Sequence, residues 1–270
     1  MSATTLPLRA QTSQTVPLLG LRIAALSESE TIRYVVDALQ AGRGGWLCTA
    51  NLDILRQWRE STEVRRLVAS ADLVVADGMP LIGAGALQGS PLPERVAGSS
   101  LVLSLTAAAA EVGASVFLVG GNPGTAEAAV NTLRGLGPNV RVAGTLCPPF
   151  GFEDDPEWLG RIEASLLDAM PDIVYVGLGC PKQERLIVSL RARFPQTWFV
   201  PCGVSFSFLA GEIQRAPVIV QRLGLEWLHR LAQEPKRLFR RYIVQGIPFL
   251  MPLLGSALAV RAGLVRSSQR

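Results

Sequence analysis

Ala71-Asp72-Leu73-Val74-Val75-Ala76-Asp77-Gly78-Met79-Pro80 decides the fold. Its Leu-Val-Val-Ala core has the length and β-branching of a buried strand, and the run stops at a carboxylate followed by Gly and then Pro. Asp77 is therefore aimed out of a sheet edge. In an open α/β sheet the crevice beyond the carboxyl ends of the strands receives the ligand, so an acid there is a candidate general base. The alternative is structural: Asp77 caps the helix that begins near Pro80.

The same pattern repeats on either side. Upstream, Ser27 is placed to cap a helix running through Ile32, Val35, Val36 and Leu39 to the break at Gly42–Gly45. Trp46–Ala50 then reads as a short strand delivering Thr49 and Asn51 to its carboxyl end, and Leu52, Leu55, Trp58 and Leu67 continue as helix. Downstream, strands are expected at Ser115–Val119, Val140–Gly144, Ile173–Gly177 and Trp198–Cys202, with helices between them. Such alternation predicts an α/β fold, a Rossmann-like, mostly parallel sheet with helices on both faces. The expected organisation is a flexible tail over residues 1–19, a catalytic domain over 20–212 and a basic, apolar helical appendage over 213–270.

Composition narrows the function. Hydrophobic residues make up 49% of the 270, enough for a core of this size. The four cysteines lie far apart and His229 is the only histidine, so neither a disulfide framework nor a zinc site is suggested, and a reducing compartment, the cytoplasm, is expected. The first 19 residues lack a charged segment followed by an apolar one, the mark of a secretory signal. Between Gln214 and Arg241 seven basic side chains (Arg215, Arg222, Arg230, Lys236, Arg237, Arg240, Arg241) face only Glu226 and Glu234, so this segment outweighs the formal net charge of +4 of the whole chain. An anionic partner is implied there.

Three motifs bear on phosphate chemistry. Gly120-Gly121-Asn122-Pro123-Gly124-Thr125 is a glycine-rich turn opening a helix, whose N–H groups could hold a pyrophosphate, although such glycines also serve close helix-strand packing. Its spacing is not GxGxxG, and Val140–Gly144 ends without the acid that would take a ribose hydroxyl, which disfavours a nicotinamide enzyme. Glu153-Asp154-Asp155 precedes Pro156, so Asp155 reads as a helix cap rather than a metal ligand. No DxD signature is present, and no cofactor is expected. Pro181 fits the first position of a helix carrying Lys182 and Gln183 in its first turn, facing the Asp77 crevice. A lysine there opposes the helix dipole unless an anion is near.

In the C-terminal part, Arg230, Arg237 and Arg241 share one helical face if the period survives Pro235. Residues 242–260 carry no formal charge, but Gly246, Pro248, Pro252 and Gly255 make a poor membrane-spanning helix. An interfacial helix beside the arginines, or a hydrophobic lid on the protein, are the two readings.

Taken together, Thr49-Ala50-Asn51, Ala76-Asp77-Gly78-Met79, Arg95-Val96-Ala97-Gly98, Pro148-Pro149-Phe150-Gly151, Gly177-Leu178-Gly179-Cys180-Pro181-Lys182-Gln183-Glu184, Gly211 with Arg215-Ala216-Pro217, and Leu225-Glu226-Trp227 through Glu234-Pro235-Lys236-Arg237 resemble the WecG/TagA/CpsF glycosyltransferases of bacterial cell-surface polysaccharide synthesis. The resemblance implies inverting, metal-independent transfer from a UDP-sugar (N-acetylmannosamine, its uronate or glucose) to a polyprenyl-pyrophosphate-linked saccharide at the inner face of the membrane. It further implies Asp77 as general base with Thr49 and Gln183 as polar active-site residues. Arg230, Arg237 and Arg240 match arginines that close over the site in that family, and Asn51, Arg95, Gly120, Gly121, Lys182 and Arg215 are the remaining candidate substrate contacts. Ser100 and Ser207 stand where the family usually has Asp.

The rival class is a non-enzymatic nucleotide- or polyanion-binding module that uses the basic segment. Nucleic-acid readers bring exposed aromatics or a reading helix, whereas aromatics are 6% of this chain. No nucleic-acid partner is therefore expected, and a homo-oligomer is left open.

Overall fold

A computed structural model describes residues 14–264. The chain opens with an antiparallel hairpin of β1 (Thr15–Leu18) and β2 (Leu21–Ala24). Leu19 and Gly20 turn it with φ of 48° and 84°, the left-handed pair that matches the twist of a two-residue hairpin. The tail expected over residues 1–19 thus ends sooner: Val16 and Leu18 are buried, and residues 1–13 lie outside those described. A non-glycine residue at the first turn position hides this hairpin from turn-signal reading.

Six parallel strands form the main sheet: β3 (Gly45–Ala50), β4 (Leu73–Ala76), β5 (Ser115–Gly120), β6 (Arg141–Leu146), β7 (Ile173–Gly177) and β8 (Trp198–Pro201), in the order β4-β3-β8-β7-β5-β6. Every strand of the expected α/β sheet is present. Alternate side chains feed two cores, Trp46, Cys48, Ala50, Phe117, Val119 and Phe199 on one face and Leu47, Val75, Leu118, Tyr175, Trp198 and Val200 on the other. Burial on both faces is what a continuous apolar strand requires.

Helices cover these faces. They include α1 (Glu28–Gln40), α2 (Leu52–Glu60), α3 (Thr62–Ala69), α4 (Met79–Leu87), α5 (Gly98–Glu111), α6 (Thr125–Arg134), α7 (Pro156–Ala169) and α8 (Lys182–Leu190). Ser27 caps α1 reciprocally with Glu30, and Asp155 caps α7 by accepting from the N–H of Glu157 at 2.9 Å, both as expected. Pro181 is the residue just before α8, one place earlier than expected.

β3 and β8 pair only at their amino-terminal ends, Gly45 with Trp198 and Trp46 with Phe199. Beyond those pairs the two strands share no further ladder, and the N-terminus of α5 reaches the gap: a Cβ on Gly98 would lie 3.2 Å from Thr49 Oγ1 and 3.7 Å from the Pro201 carbonyl oxygen. This junction lies at the carboxyl edge of the parallel strands, the side of the sheet that doubly wound folds use for ligands.

After β8 come short helices α9 (Ser205–Leu209) and α10 (Val218–Arg222), then α11 (Glu226–Gln233) and α12 (Pro235–Phe239). The helical path breaks at Glu234, as Pro235 predicts, and then runs through a π-helical segment, Arg240–Gly246, into α13 (Ile247–Arg261). Pro252 is accommodated inside α13. Phe249, Leu253 and Ala257, one turn apart, are buried in the first core, and the helix packs against α4 and β1. The opposite stripe, Val244, Ile247, Met251, Leu254 and Leu258, is exposed. Of the two readings of residues 242–260, packing on the protein holds for one face of α13, and the other face is left bare.

Candidate active site

Asp77 follows β4 directly, and its own N–H donates to the Ala50 carbonyl at 2.7 Å, which locks it beside the end of β3. Its carboxylate does not cap α4. Gly78 precedes that helix without a side-chain cap, while Asp77 Oδ2 accepts from the N–H of Gly98, the first residue of α5, at 3.3 Å. The cap alternative is thus replaced by a long-range contact with another helix's N-terminus. Thr49 sits alongside, buried at the end of β3.

Asp77 is half-buried at the carboxyl edge of the sheet and closely surrounded. Burial pushes its pKa up to about 6; Arg95, the Gly98 N–H and Arg215 pull it down, and Glu226 adds to the rise. A carboxylate held there is a far better proton acceptor near neutrality than an ordinary aspartate.

Arg95 is brought to Asp77 because the next residue, Val96, donates its N–H to the Ala76 carbonyl at 2.8 Å. Its guanidinium binds Glu226 of α11 at 2.6 Å, and Arg215 Nε lies 3.8 Å from the other Glu226 oxygen. Arg215 also donates to Ser100 Oγ at 2.7 Å. Nε of Arg215 and of Arg230 is buried without a hydrogen-bond partner, Arg215 Nε facing Glu226 only at the 3.8 Å of the ion pair. Unsatisfied guanidinium donors are costly in a finished interior and suited to a site that receives an anion.

A second group gathers at the end of β7. Gln183 Oε1 accepts from the Gly179 N–H at 3.2 Å, and its amide donates to Glu184 at 2.9 Å. Glu184 is fully buried, its second oxygen has no hydrogen-bond partner, and burial raises its pKa. Arg241 binds Asp53, in the first turn of α2, at 3.0 Å, fastening the C-terminal segment beside this group. Asn51 spends its side-chain oxygen on capping α2, accepting from Asp53 and Ile54 at 3.0 Å each.

The remaining candidates are committed elsewhere. The anion expected by Lys182 is internal: it pairs with Glu153 and lies 4.4 Å from the Phe150 ring centroid, so its charge is turned to the loop before α7 rather than to Asp77. Gly120 is required by packing, since a Cβ would come within 2.6 Å of the Gly177 carbonyl oxygen, and Gly121 closes on Thr125 and Phe206. The N-terminus of α6 already holds a carboxylate, Glu212, which accepts from Thr125 Oγ1 and Asn122. The glycine turn thus takes its packing role. Arg230 and Arg237 converge on Glu234 at 3.6 Å and 2.7 Å, Arg230 lies 5.6 Å from the Phe208 ring centroid, and Arg240 is exposed. Arg241 leaves the expected shared face for Asp53 because the π-helical segment alters the period. Among the described residues no group of three or more His, Cys, Asp and Glu side chains is arranged to hold a metal.

The sequence reading missed Gly98, Glu184, Glu226 and the Arg241–Asp53 link as parts of this arrangement. Glu226 carried a signal, as one of only two acids in the basic segment, but its partner Arg95 stands 131 residues away. The β4 edge gathers a carboxylate with a raised pKa and two guanidinium groups, residue types suited to proton removal and to anion binding. The model of the glycosyl transferase WecG/TagA/CpsF family matches residues 16–263, nearly the whole chain, and the protein belongs to that family of glycosyltransferases acting in polysaccharide synthesis.

Proposed function

We propose that the protein transfers a sugar with inversion from a UDP-sugar to a polyprenyl-pyrophosphate-linked saccharide, with Asp77 as general base. The observation that carries this reading is Asp77 itself: a carboxylate at the strand-edge crevice, with a raised pKa and no duty toward its own helix. The acceptor hydroxyl gives its proton to Asp77 while its oxygen forms the new bond to the anomeric carbon; the bond from that carbon to the UDP oxygen breaks, and UDP leaves with the electron pair. Thr49 and Gln183 orient the acceptor. Arg95 and Arg215, joined on closure by Arg230, Arg237 and Arg240, meet the negative charge that grows on the leaving pyrophosphate. Transfer on this scheme needs no metal, because guanidinium groups supply the electrostatic stabilisation. The donor sugar is of the N-acetylmannosamine, N-acetylmannosaminuronate or glucose type.

The exposed stripe from Val244 to Leu258 supports work at the cytoplasmic membrane surface, where the lipid-linked acceptor resides. The continuous helical run Pro235–Arg261 is long and apolar enough to cross a bilayer by length and composition. With one face packed on α4 and β1, it is better suited to lying in the interface.

The deciding experiment is a panel of UDP-sugars offered with a polyprenyl-pyrophosphoryl-saccharide acceptor. Turnover of one donor, released UDP and resistance to EDTA are expected. Binding of UDP-sugars without transfer to any such acceptor, or activity abolished by EDTA and restored by magnesium, overturns the corresponding part.

A further inference from the structure

Three charged side chains from distant parts of the chain, Arg95, Arg215 and Glu226, meet beside Asp77. Glu226 lies between Arg95, at 2.6 Å, and Arg215, at 3.8 Å, with side-chain exposures of 13%, 18% and 27%. Its helix, α11, buries no residue completely. Besides Glu226, the polar ties of α11 to the body include Gln233, hydrogen-bonded to the backbone of Gln214 at 3.1 and 2.9 Å. Among the described residues no salt bridge joins either arginine to Asp77: Arg95 is hydrogen-bonded to Glu226, and Arg215, hydrogen-bonded to Ser100 at 2.7 Å, keeps an ion-pair distance to the other Glu226 oxygen. A guanidinium with no other carboxylate would pair with Asp77, lower its proton affinity and leave it a poor base.

We propose that Glu226 is a positioning residue that keeps Arg95 and Arg215 off Asp77, so that the carboxylate stays free to take the acceptor's proton. This rests on the reading of Asp77 as the base. Because Glu226 is also a tie between α11 and the crevice, a seated C-terminal segment and a working base go together. The charged groups that act on Asp77 are Arg95 and Arg215, which favour its anion, and Glu226, which favours its neutral acid. The Gly98 N–H also favours the anion.

The test is the titration of the Asp77 carboxyl carbon in protein labelled with carbon-13 aspartate, its signal identified with Asp77→Asn, beside the pH profile of kcat/KM. Glu226→Gln is expected to lower the Asp77 midpoint by about one unit or more, the effect of newly unopposed positive charge, and to lower the plateau of turnover. Arg95→Gln should raise the midpoint, and the double variant should return it toward the unsubstituted protein. Glu226→Asp, which keeps the charge, should stay nearer the parent than Glu226→Gln. An unmoved or raised midpoint in Glu226→Gln overturns the proposal even if turnover falls. If Glu226→Gln does not fold, Arg95→Gln decides alone, and an unmoved midpoint there overturns the proposal equally. Midpoints that move as expected while Asp77→Asn keeps full turnover uphold the charge arrangement and overturn the base instead.

Discussion

Two strand ends in this sheet carry the outward marks of a ligand site, and only one is furnished as one. At the end of β5 the turn from Gly120 to Gly124 looks like a phosphate cradle, but its space is taken by Gly177 and Phe206 and its helix N-terminus by Glu212. At the end of β4 the marks are modest, an acid before a glycine. There the carboxylate has been drawn away from its own helix and set among arginines. A glycine-rich turn announces close approach without saying of what. An acid that caps nothing local is the stronger signal, since its placement has to be maintained by distant partners.

The contrast is broken most directly at Asp77. Asp77→Asn is expected to fold and bind UDP but to lose two or more orders of magnitude in turnover, about what removal of a general base costs. Unsubstituted protein should show an acid limb near pH 6 in kcat/KM, which the variant lacks. At the other strand end the loss falls on stability. Gly120→Ala must place a Cβ 2.6 Å from the Gly177 carbonyl oxygen at φ of +107°, so denaturant unfolding should show a loss of about 3 kcal/mol or more. Gly124 has a φ of +83° but open space around it, and Gly124→Ala should cost only about 1 kcal/mol.

The sign of the Asp77 effect on stability sharpens the same contrast. A carboxyl whose folded pKa is raised stabilises the folded state fully below its unfolded pKa, and this contribution is lost as pH rises toward and through 6. Asp77→Asn removes that loss, so thermal unfolding at pH 7.5 should show a gain of roughly 1–2 kcal/mol that disappears by pH 4. The smallest effect is expected at Glu212, an exposed carboxylate whose pKa is lowered by Thr125. Glu212→Gln should lower stability at pH 7 by less than about 1 kcal/mol, without altering turnover. A turnover loss as large as that of Asp77→Asn would restore the glycine turn as part of the site.

Much of the architecture was readable because apolar runs such as Leu73–Ala76 and Ile173–Gly177 have one stable use, a strand buried on both faces. The first hairpin was not, since Leu19 gives no glycine signal for its left-handed turn. Asp77 stood out because it directly follows a readable strand, whereas the site roles expected of Thr49 and Gln183 came with the family resemblance. Lys182 was misread for a plain reason: the anion it calls for comes from Glu153 in a neighbouring loop, a tertiary fact that dipole arguments cannot supply. Glu226 and Arg241 find their partners, Arg95 and Asp53, more than a hundred residues away, beyond any periodicity. The apolar helix was ambiguous for another reason. Its faces are equally greasy, and only packing distinguishes Leu253, buried against the body, from Leu258, left bare.

The partial pairing of β3 with β8 bears on how the molecule is made. β3 and β4 form one patch of sheet, β5, β6 and β7 another, and β8 alone joins them, on one side through just two residue pairs. β8 is the last strand to leave the ribosome. Until Trp198–Pro201 has emerged, the nascent chain carries two half-sheets, each with an unpaired inner edge open to other chains. The weakest seam of the finished sheet is also the last to be sewn, and the space that this incomplete stitching leaves between Thr49 and Cys202 is closed by Gly98 at the start of α5.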